Sequence, residues 1–295
     1  MKTNVFYLAS FMFGLLLLLA SCSDQVKQSE EPEASAEEVE MLLSIVGSAL
    51  SDEHEGLLSG IMDLTAQPGE NGLNYLFRHQ GSERGGQNNF VRRYDPETGV
   101  HSIRFRRGVD RPQFRSLLRV QLEYIFQDET GAFIARPAQN PNLIETITFS
   151  GVRDGFTESP ARRSEFERSA NWLLEGFGPA NEAMQLSGVQ ESKGRMALKN
   201  RDGGVQASRS YQMLFNLTDI SIQKPDASED RLPFLVTGEI EYEIRIRTMR
   251  NGEQETREFA GTIELDGSGQ ALMRVLGIDR AFRLYLQTGE AAARD

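Results

Sequence analysis

Cysteine and histidine are nearly absent from this sequence, and their scarcity excludes several kinds of chemistry. The only cysteine among the 295 residues is Cys22, so the chain cannot form an internal disulfide, a thiolate metal cluster or a Cys-x-x-Cys redox pair. The three histidines, His54, His79 and His101, are far apart and lack the spacing of a zinc motif. We therefore predict no metal and no other cofactor.

Positive charge is also scarce: 43 acidic residues face 32 lysines and arginines, and the net charge is −11. A general nucleic-acid binder needs clustered positive charge to displace counterions, so no nucleic-acid partner is predicted. The sequence also lacks a G-x-S-x-G nucleophile elbow, a Walker A motif and a dinucleotide-binding glycine motif. We therefore predict that the protein is not an enzyme. A carboxylate-based hydrolase is the less favoured alternative, because carboxylate pairs need proximity in space rather than in sequence.

The one long apolar run lies at the start of the chain and ends at Cys22. Residues 5–20 are shorter than a membrane-spanning helix, which needs about 20 residues, and are typical of a secretory signal. The run ends in Leu19-Ala20-Ser21-Cys22, which resembles the lipobox of bacterial lipoproteins. The resemblance implies cleavage before Cys22 and acylation of that residue, which makes membrane lipid a partner through Cys22.

The residues around the cleavage site also carry a prediction of location. Inner-membrane lipoproteins often have Asp directly after the cysteine, whereas this chain has Ser23 there. This favours location in the bacterial outer membrane, on either its periplasmic or its surface face. Residues 1–21 are accordingly interpreted as a signal peptide. Residues 22–38 are rich in acidic side chains, with Lys27 as the only basic one, and are predicted to be a lipidated cysteine followed by a flexible tether.

An amphipathic helical segment is predicted over residues 39–66. Ser35 and Glu38 form a capping-box pattern just before apolar residues that repeat at helical spacing. Two glycines interrupt the repeat, so the segment is predicted to be one helix or two short helices. His54 lies on the apolar stripe, and we predict that it packs at the edge of the core and does not bind a metal.

Alternating apolar and polar residues dominate the rest of the chain, residues 67–295. In residues 238–249, isoleucines and one tyrosine alternate with glutamates and arginines, and Asn251-Gly252 follows as a hairpin dipeptide. Roughly ten to twelve strands joined by short turns are expected, although residues 165–174 also fit a helix. The sequence predicts a mainly β protein: a large antiparallel curved sheet, sandwich or partial barrel, preceded by the amphipathic helical segment.

A glycine recurs inside four of the expected strands, at Gly151, Gly188, Gly238 and Gly261. Glycine within a strand marks a bulge, a bend or a close backbone approach, so this repetition predicts strong curvature. Over residues 143–289 the pattern, with its LDGSG turn and final ALMRVLGIDRAFRLYL, resembles a loose class of uncharacterised β-rich lipoproteins of Bacteroidota-type bacteria. The resemblance implies a surface or periplasmic β module and no particular activity.

Arginine is concentrated in residues 78–119, which contain ten arginines and four acidic residues. Guanidinium groups suit the recognition of lipid phosphate, lipopolysaccharide or acidic glycan. The candidate anion-binding residues are Arg92, Arg93, Arg104 and Arg106. The alternative is a solvated sheet face on which these arginines pair with the glutamates of residues 239–243.

Three functions are open on these grounds. The leading interpretation is a membrane-anchored envelope lipoprotein that acts as a non-enzymatic binding or scaffold module for an envelope protein, a glycan or a lipid. The alternative is a carrier or chaperone of lipid or other hydrophobic cargo, similar in outline to lipoprotein-sorting half-barrels, which requires an apolar cavity under the helices. A hydrolase would require two carboxyl groups about 5–10 Å apart in a cleft.

Overall fold

Two helices and a long succession of strands make up the part of the chain that the computed structural model describes, namely residues 34–51, 56–65, 91–199, 204–224, 235–250 and 252–293. The predicted signal peptide, residues 22–33 of the predicted tether with Cys22, and the histidines His54 and His79 lie outside these ranges. The helices are α1 (Ala36–Leu50) and α2 (Leu57–Thr65), and a 3-10 turn spans Pro141–Leu143. The strands are β1 (Val91–Tyr94), β2 (Val100–Arg111), β3 (Phe114–Gln127), β4 (Thr146–Glu158), β5 (Arg162–Glu175), β6 (Ala183–Lys199), β7 (Val205–Gln223), β8 (Val236–Arg250), β9 (Glu253–Asp266), β10 (Gln270–Val275), β11 (Ala281–Tyr285) and β12 (Ala291–Ala293).

These strands form one curved, open antiparallel sheet in which each strand pairs with its neighbours in sequence, from β1 to β12. The prediction of a mainly β protein with a large antiparallel curved sheet is confirmed. Residues 165–174, for which a helix was an alternative, lie in strand β5. Their burial alternates along the chain and both edges of β5 are paired, with β4 and with β6.

The alternation of side chains gives the sheet two different faces. Along β8, Ile240, Tyr242, Ile244 and Ile246 are buried, whereas the glutamates and arginines between them are exposed. The buried face, which packs against the helices, is called the inner face, and the opposite one the outer face. Because residues directly opposite each other on paired strands share a face, the register assigns every strand residue to one of the two.

The helices form near the predicted positions, but α1 begins at Ala36, three residues before the predicted segment 39–66 and inside the residues assigned to the tether. Ser35 caps α1: its Oγ accepts a hydrogen bond from the Glu38 N–H at 3.3 Å, and the Glu38 carboxylate accepts one from the Ser35 N–H at 2.7 Å. The helical segment starts at Ala36 and is interrupted after Leu50, where Ser51 is extended with φ −67° and ψ 155°. Two short helices therefore form. None of the described helices is both long and apolar enough to cross a bilayer.

Both helices lie directly on the inner face. Their apolar residues Leu42, Val46 and Ile61 are fully buried in the same core as the inner-face side chains of the sheet. Gly60 of α2 lies against the Trp172 ring, so that a Cβ atom on Gly60 would be 2.5 Å from the ring carbon Cη2. This close approach of the α2 backbone to the Trp172 ring leaves no room for a layer of ligand at this contact.

The glycines within strands have the two roles that the sequence predicts. Gly188 has φ +135° at a register shift between β6 and β7, which is a β-bulge. At Gly261 the backbones of β9 and β10 approach closely, because a Cβ atom there would overlap the carbonyl oxygen of Arg274 on β10. The bulge interrupts the pairing locally and increases the twist of the sheet, whereas the close approach leaves the pairing of β9 with β10 intact.

Candidate anion-binding groove

The outer face carries a groove of ≈ 620 Å³ that extends across strands β3 to β8. Six basic and three acidic side chains line it, in contrast to the net charge of −11 of the whole chain. The basic residues are Arg119, Arg163, Lys193, Arg195, Arg245 and Arg247. The acidic residues are Asp154, Glu165 and Glu167. The groove is thus locally positive, and a second groove of ≈ 450 Å³ adjoins it over β6 to β9.

Groove residues that lie directly opposite one another on successive strands form rows across the outer face. In the first row, side chains of opposite charge are neighbours. Arg119 lies directly opposite Asp154, and its Nε donates to Oδ2 at 2.7 Å. This hydrogen bond and the charge of the Asp154 carboxylate raise the pKa of Arg119. Lys193 is 4.0 Å from Glu167, and Nε of Arg245 is 2.6 Å from Glu258 Oε1. The charges of this row largely neutralise one another.

The second row contains two arginines without such a partner. Glu165 lies directly opposite Arg195, but its Oε1 is 2.7 Å from Nη2 of Arg163. Arg247 lies between Ser210 of β7 and Thr256 of β9. Within the described ranges, no carboxylate lies at ion-pair distance from Arg195 or Arg247. These two guanidinium groups are the unneutralised positive charges of the groove.

Ser210 sits between the two arginines. It is directly opposite Arg195 on one side and directly opposite Arg247 on the other, so all three belong to one row of the outer face. Strands two places apart in a sheet are separated by about 9.5 Å, a gap that two arginine side chains can close from either side. Guanidinium forks and a hydroxyl are suited to one oxyanion, such as a phosphate, sulfate or carboxylate. We call these residues the Arg195–Ser210–Arg247 cluster.

The half-buried Phe156 forms an apolar part of the groove wall. The Arg163 guanidinium lies over its ring at 4.9 Å from the centroid, a cation–π contact. Arg163 is therefore held by Phe156 and by Glu165, and it is less available to a ligand than Arg195. The groove thereby combines an apolar wall with a small polar cluster, as ligand sites commonly do.

A second charged cluster lies at the end of the groove, around Glu158. Its carboxylate is 2.5 Å from Nζ of Lys199, 3.4 Å from Arg163 and 3.8 Å from Arg115. The hydrogen bond from Lys199, together with the nearby guanidinium groups, holds the pKa of Glu158 below its usual range. Glu158 is the anion that these three cations already share, so this cluster is a local ion-pair network.

The structure distributes the four arginines predicted from sequence over both faces. Arg93 lies opposite Ser102, and together with Arg104 and Arg106 it is exposed on the outer face. Arg92 lies opposite Ile103 and therefore belongs to the inner-face side of β1. None of the four lines the groove, although Arg106 lies directly opposite Arg119 at its edge.

The alternative that these arginines pair with the glutamates of residues 239–243 is wrong. Those glutamates lie on β8, and the consecutive strand order places five other strands between β2 and β8. Salt bridges across the sheet need adjacent strands, so the pairing cannot form. Arg106 faces another cation, Arg119, instead.

His101 is a core residue of β2. It is buried, its Nε2 donates to the carbonyl oxygen of Ile134 at 3.0 Å, and its ring contacts Tyr94 with centroids 4.5 Å apart. Burial lowers the pKa of His101, despite the opposing effect of the hydrogen bond. Within the described ranges, no group of three or more His, Cys, Asp or Glu residues is arranged to hold a metal ion.

No protein-family model, curated protein or solved structure matches this chain.

Proposed function

We propose that this chain is a lipid-anchored protein of the bacterial cell envelope, in the outer membrane, whose sheet is a non-enzymatic binding module for a ligand with an anionic group. The observation that carries the binding role is the Arg195–Ser210–Arg247 cluster, in which two arginines face one groove without a carboxylate partner among the described residues. The ligand class is a phosphorylated lipid or an acidic glycan of the envelope. Arg93, Arg104 and Arg106 extend the positive charge of the same face toward β1 and belong to the same proposal.

The groove carboxylates favour binding over hydrolysis. Asp154 is paired with Arg119, Glu165 with Arg163 and Glu167 with Lys193. A glycosidase-type mechanism uses two carboxyl groups that are both available to the substrate, one of them as a proton donor. Because each groove carboxylate already contacts a basic side chain, the charge left over for a ligand is positive.

The carrier alternative has less support from the geometry. It requires an apolar cavity between helices and sheet, yet Gly60 of α2 lies against the Trp172 ring and Gly47 of α1 lies against the β11–β12 turn. The apolar side chains between these contacts, such as Leu42 and Ile61, belong to one packed core. A cavity for hydrophobic cargo would have to open by moving both helices.

Changing Cys22 to alanine tests the anchor. We expect the variant to leave the membrane fraction or to persist as uncleaved precursor, because the lipid-bearing thiol is lost and two or three acyl chains supply the affinity. Fractionation of the producing cells and the mass of the N-terminal peptide measure this outcome. The variant Ser23→Ala keeps the cysteine and should remain lipidated. Full membrane retention of the mature Cys22→Ala protein would reject the lipid anchor.

The groove is tested by the double charge reversal Arg195→Glu and Arg247→Glu. We expect the unmodified protein to bind a fluorescent heparin hexasaccharide, a polysulfated probe, and not a neutral dextran of the same length. The double variant should bind the probe more weakly by about tenfold or more, because each charge-assisted hydrogen bond contributes about 1.5–3 kcal/mol and a factor of ten corresponds to about 1.4 kcal/mol. Fluorescence anisotropy at constant ionic strength measures the affinity.

The matched control is the double variant Arg104→Glu and Arg106→Glu. It changes the net charge by the same amount, on the same face of the sheet, but outside the groove. A smaller loss of affinity in this control supports the groove as the main contact. An equal or larger loss would move the binding site to the β2 arginines, and equal binding of dextran and heparin would reject an anion site altogether.

A further inference from the structure

Four hairpin ends meet at one end of the sheet. Consecutive strands are antiparallel, so the β2–β3, β4–β5, β6–β7 and β8–β9 connections all lie at the same end, whereas the shorter β10–β11 hairpin stops partway along β9, where Val275 lies opposite Gly261. We call the described residues of these connections the distal rim. They are residues 109–115, 158–163, 198–199, 204–205, 249–250 and 252–253.

The distal rim exposes large apolar side chains. Their relative exposure lies between 39% and 54%. They are Val109, Phe114, Leu198, Val205 and Met249. Single exposed apolar residues are ordinary on protein surfaces, but these five are grouped on three of the four neighbouring hairpin ends. These side chains make the rim apolar in part.

Basic side chains accompany the apolar ones on the rim. The basic residues are Arg111, Arg115, Arg162, Arg163, Lys199 and Arg250, and the acidic ones are Asp110, Glu158 and Glu253. Glu158 is already bound by Lys199 and Arg163. Toward the opposite end of the sheet the sign reverses, as in β8, where exposed glutamates precede Arg245 and Arg247. The rim is therefore a basic and apolar edge on an acidic protein.

The start of α1 lies beside this rim. Glu37 of α1 is 3.3 Å from Nη2 of Arg250, the last residue of β8, and Glu38 is 2.6 Å from Nε of Arg257 on β9. The chain thus enters the folded unit next to the distal rim. Twelve residues, 23–34, lie between Cys22 and Ser35, and a chain of this length spans at most about 45 Å.

We propose that the distal rim docks on a bilayer surface that contains anionic lipid. The inference rests on the proposed lipid anchor for the orientation, since a tether of this length from Cys22 keeps the rim near the membrane. Apolar hairpin ends such as Phe114 enter the headgroup region, and flanking arginines such as Arg111 contact lipid phosphate. The outer-face groove then lies next to the membrane, where an anionic envelope ligand is available to it.

The test places a tryptophan on the rim and measures its depth by quenching from brominated lipid acyl chains. The variant Phe114→Trp reports on the rim. The matched control is Phe133→Trp, because Phe133 is 46% exposed against 44% for Phe114 and pairs with Gln127 at the opposite end of β3. The only native tryptophan, Trp172, is buried and gives the same background in both proteins.

The protein is attached to vesicles independently of Cys22, so that a failure of the lipid anchor does not affect the result. A chain beginning at Ser23 carries an N-terminal histidine tag that binds a nickel-chelating lipid. All described helices and strands belong to the compact unit Ser35–Asp295, so this chain retains the whole fold. The vesicles contain phosphatidylcholine with or without phosphatidylglycerol.

In vesicles with phosphatidylglycerol, we expect brominated lipid to quench F114W about twofold more strongly than F133W. In vesicles of phosphatidylcholine alone, we expect the quenching of F114W to be weaker than in vesicles with phosphatidylglycerol. Arg111→Glu in the F114W protein should weaken the quenching further. Equal quenching of F114W and F133W, or none of either, would overturn the docking proposal. Strong quenching that is independent of phosphatidylglycerol would overturn its anionic-lipid part. Neither outcome depends on Cys22 lipidation or on heparin binding by the groove.

Discussion

Replacing Trp172 by alanine is expected to lower the free energy of unfolding by about 3–5 kcal/mol, the usual cost of truncating a large buried aromatic residue. Trp172 is 2% exposed, and its ring lies 5.1 Å from that of Phe149, centroid to centroid. On its other side is Gly60 of α2, which has no side chain that could move into the space left by the indole. Chemical denaturation monitored by circular dichroism measures the loss, and the melting temperature should fall by about 6–10 °C.

The control for this prediction is Trp172→Phe. Nε1 of Trp172 is buried and has no hydrogen-bond partner among the described residues, so phenylalanine keeps most of the packing and removes an unsatisfied donor. We expect it to cost less than about 1.5 kcal/mol. Leu173→Ala, on the outer face of the same strand, should also cost little. If Trp172→Ala costs no more than Leu173→Ala, α2 does not pack on this ring.

Local patterns in the sequence predict the elements of this fold well. The capping box at Ser35 and Glu38 places the helix start to within a few residues, because both partners are neighbours in sequence. The alternation in β8 predicts its buried and exposed faces, because a strand has a period of two residues. The same rule places Arg92 and Arg93 on opposite faces of β1, so the sequence itself shows that these adjacent arginines cannot share a site.

The groove could not be predicted in the same way, since its residues come from six strands. Arg195 and Arg247 become neighbours only through Ser210 and the register of β6, β7 and β8. That register includes two irregular positions between β6 and β7, at Leu186/Gly188 and Leu198/Lys199, and each shifts the pairing. An arginine-rich run such as residues 78–119 is visible in the sequence. Whether two arginines lack a carboxylate partner depends on which residues the strand register places beside them.

Changing Gly47 to alanine is expected to destabilise the protein by about 1–3 kcal/mol, the cost of overpacking a well-filled interior. In an exposed helix interior the same substitution would stabilise by about 0.5–1 kcal/mol, because glycine is a poor helix former. The sign reverses here because a Cβ atom on Gly47 would overlap the carbonyl oxygen of Gly289, in the turn between β11 and β12. The turn cannot easily yield, since Gly289 has φ +76° and a Cβ atom on it would itself lie 2.7 Å from the Gly47 carbonyl oxygen.

The matched control is Ser44→Ala, on the exposed side of α1 one turn earlier, where the gain in helix propensity should appear without the clash. Urea denaturation of both variants measures whether each substitution raises or lowers the free energy of unfolding. Stabilisation by Gly47→Ala would mean that α1 is not seated against the β11–β12 turn. With α1 seated against that turn and α2 seated on the Trp172 ring, both helices are in close contact with the inner-face side of the sheet. The outer face, with its groove and the adjoining rim, is then the part of the sheet that is open to a ligand.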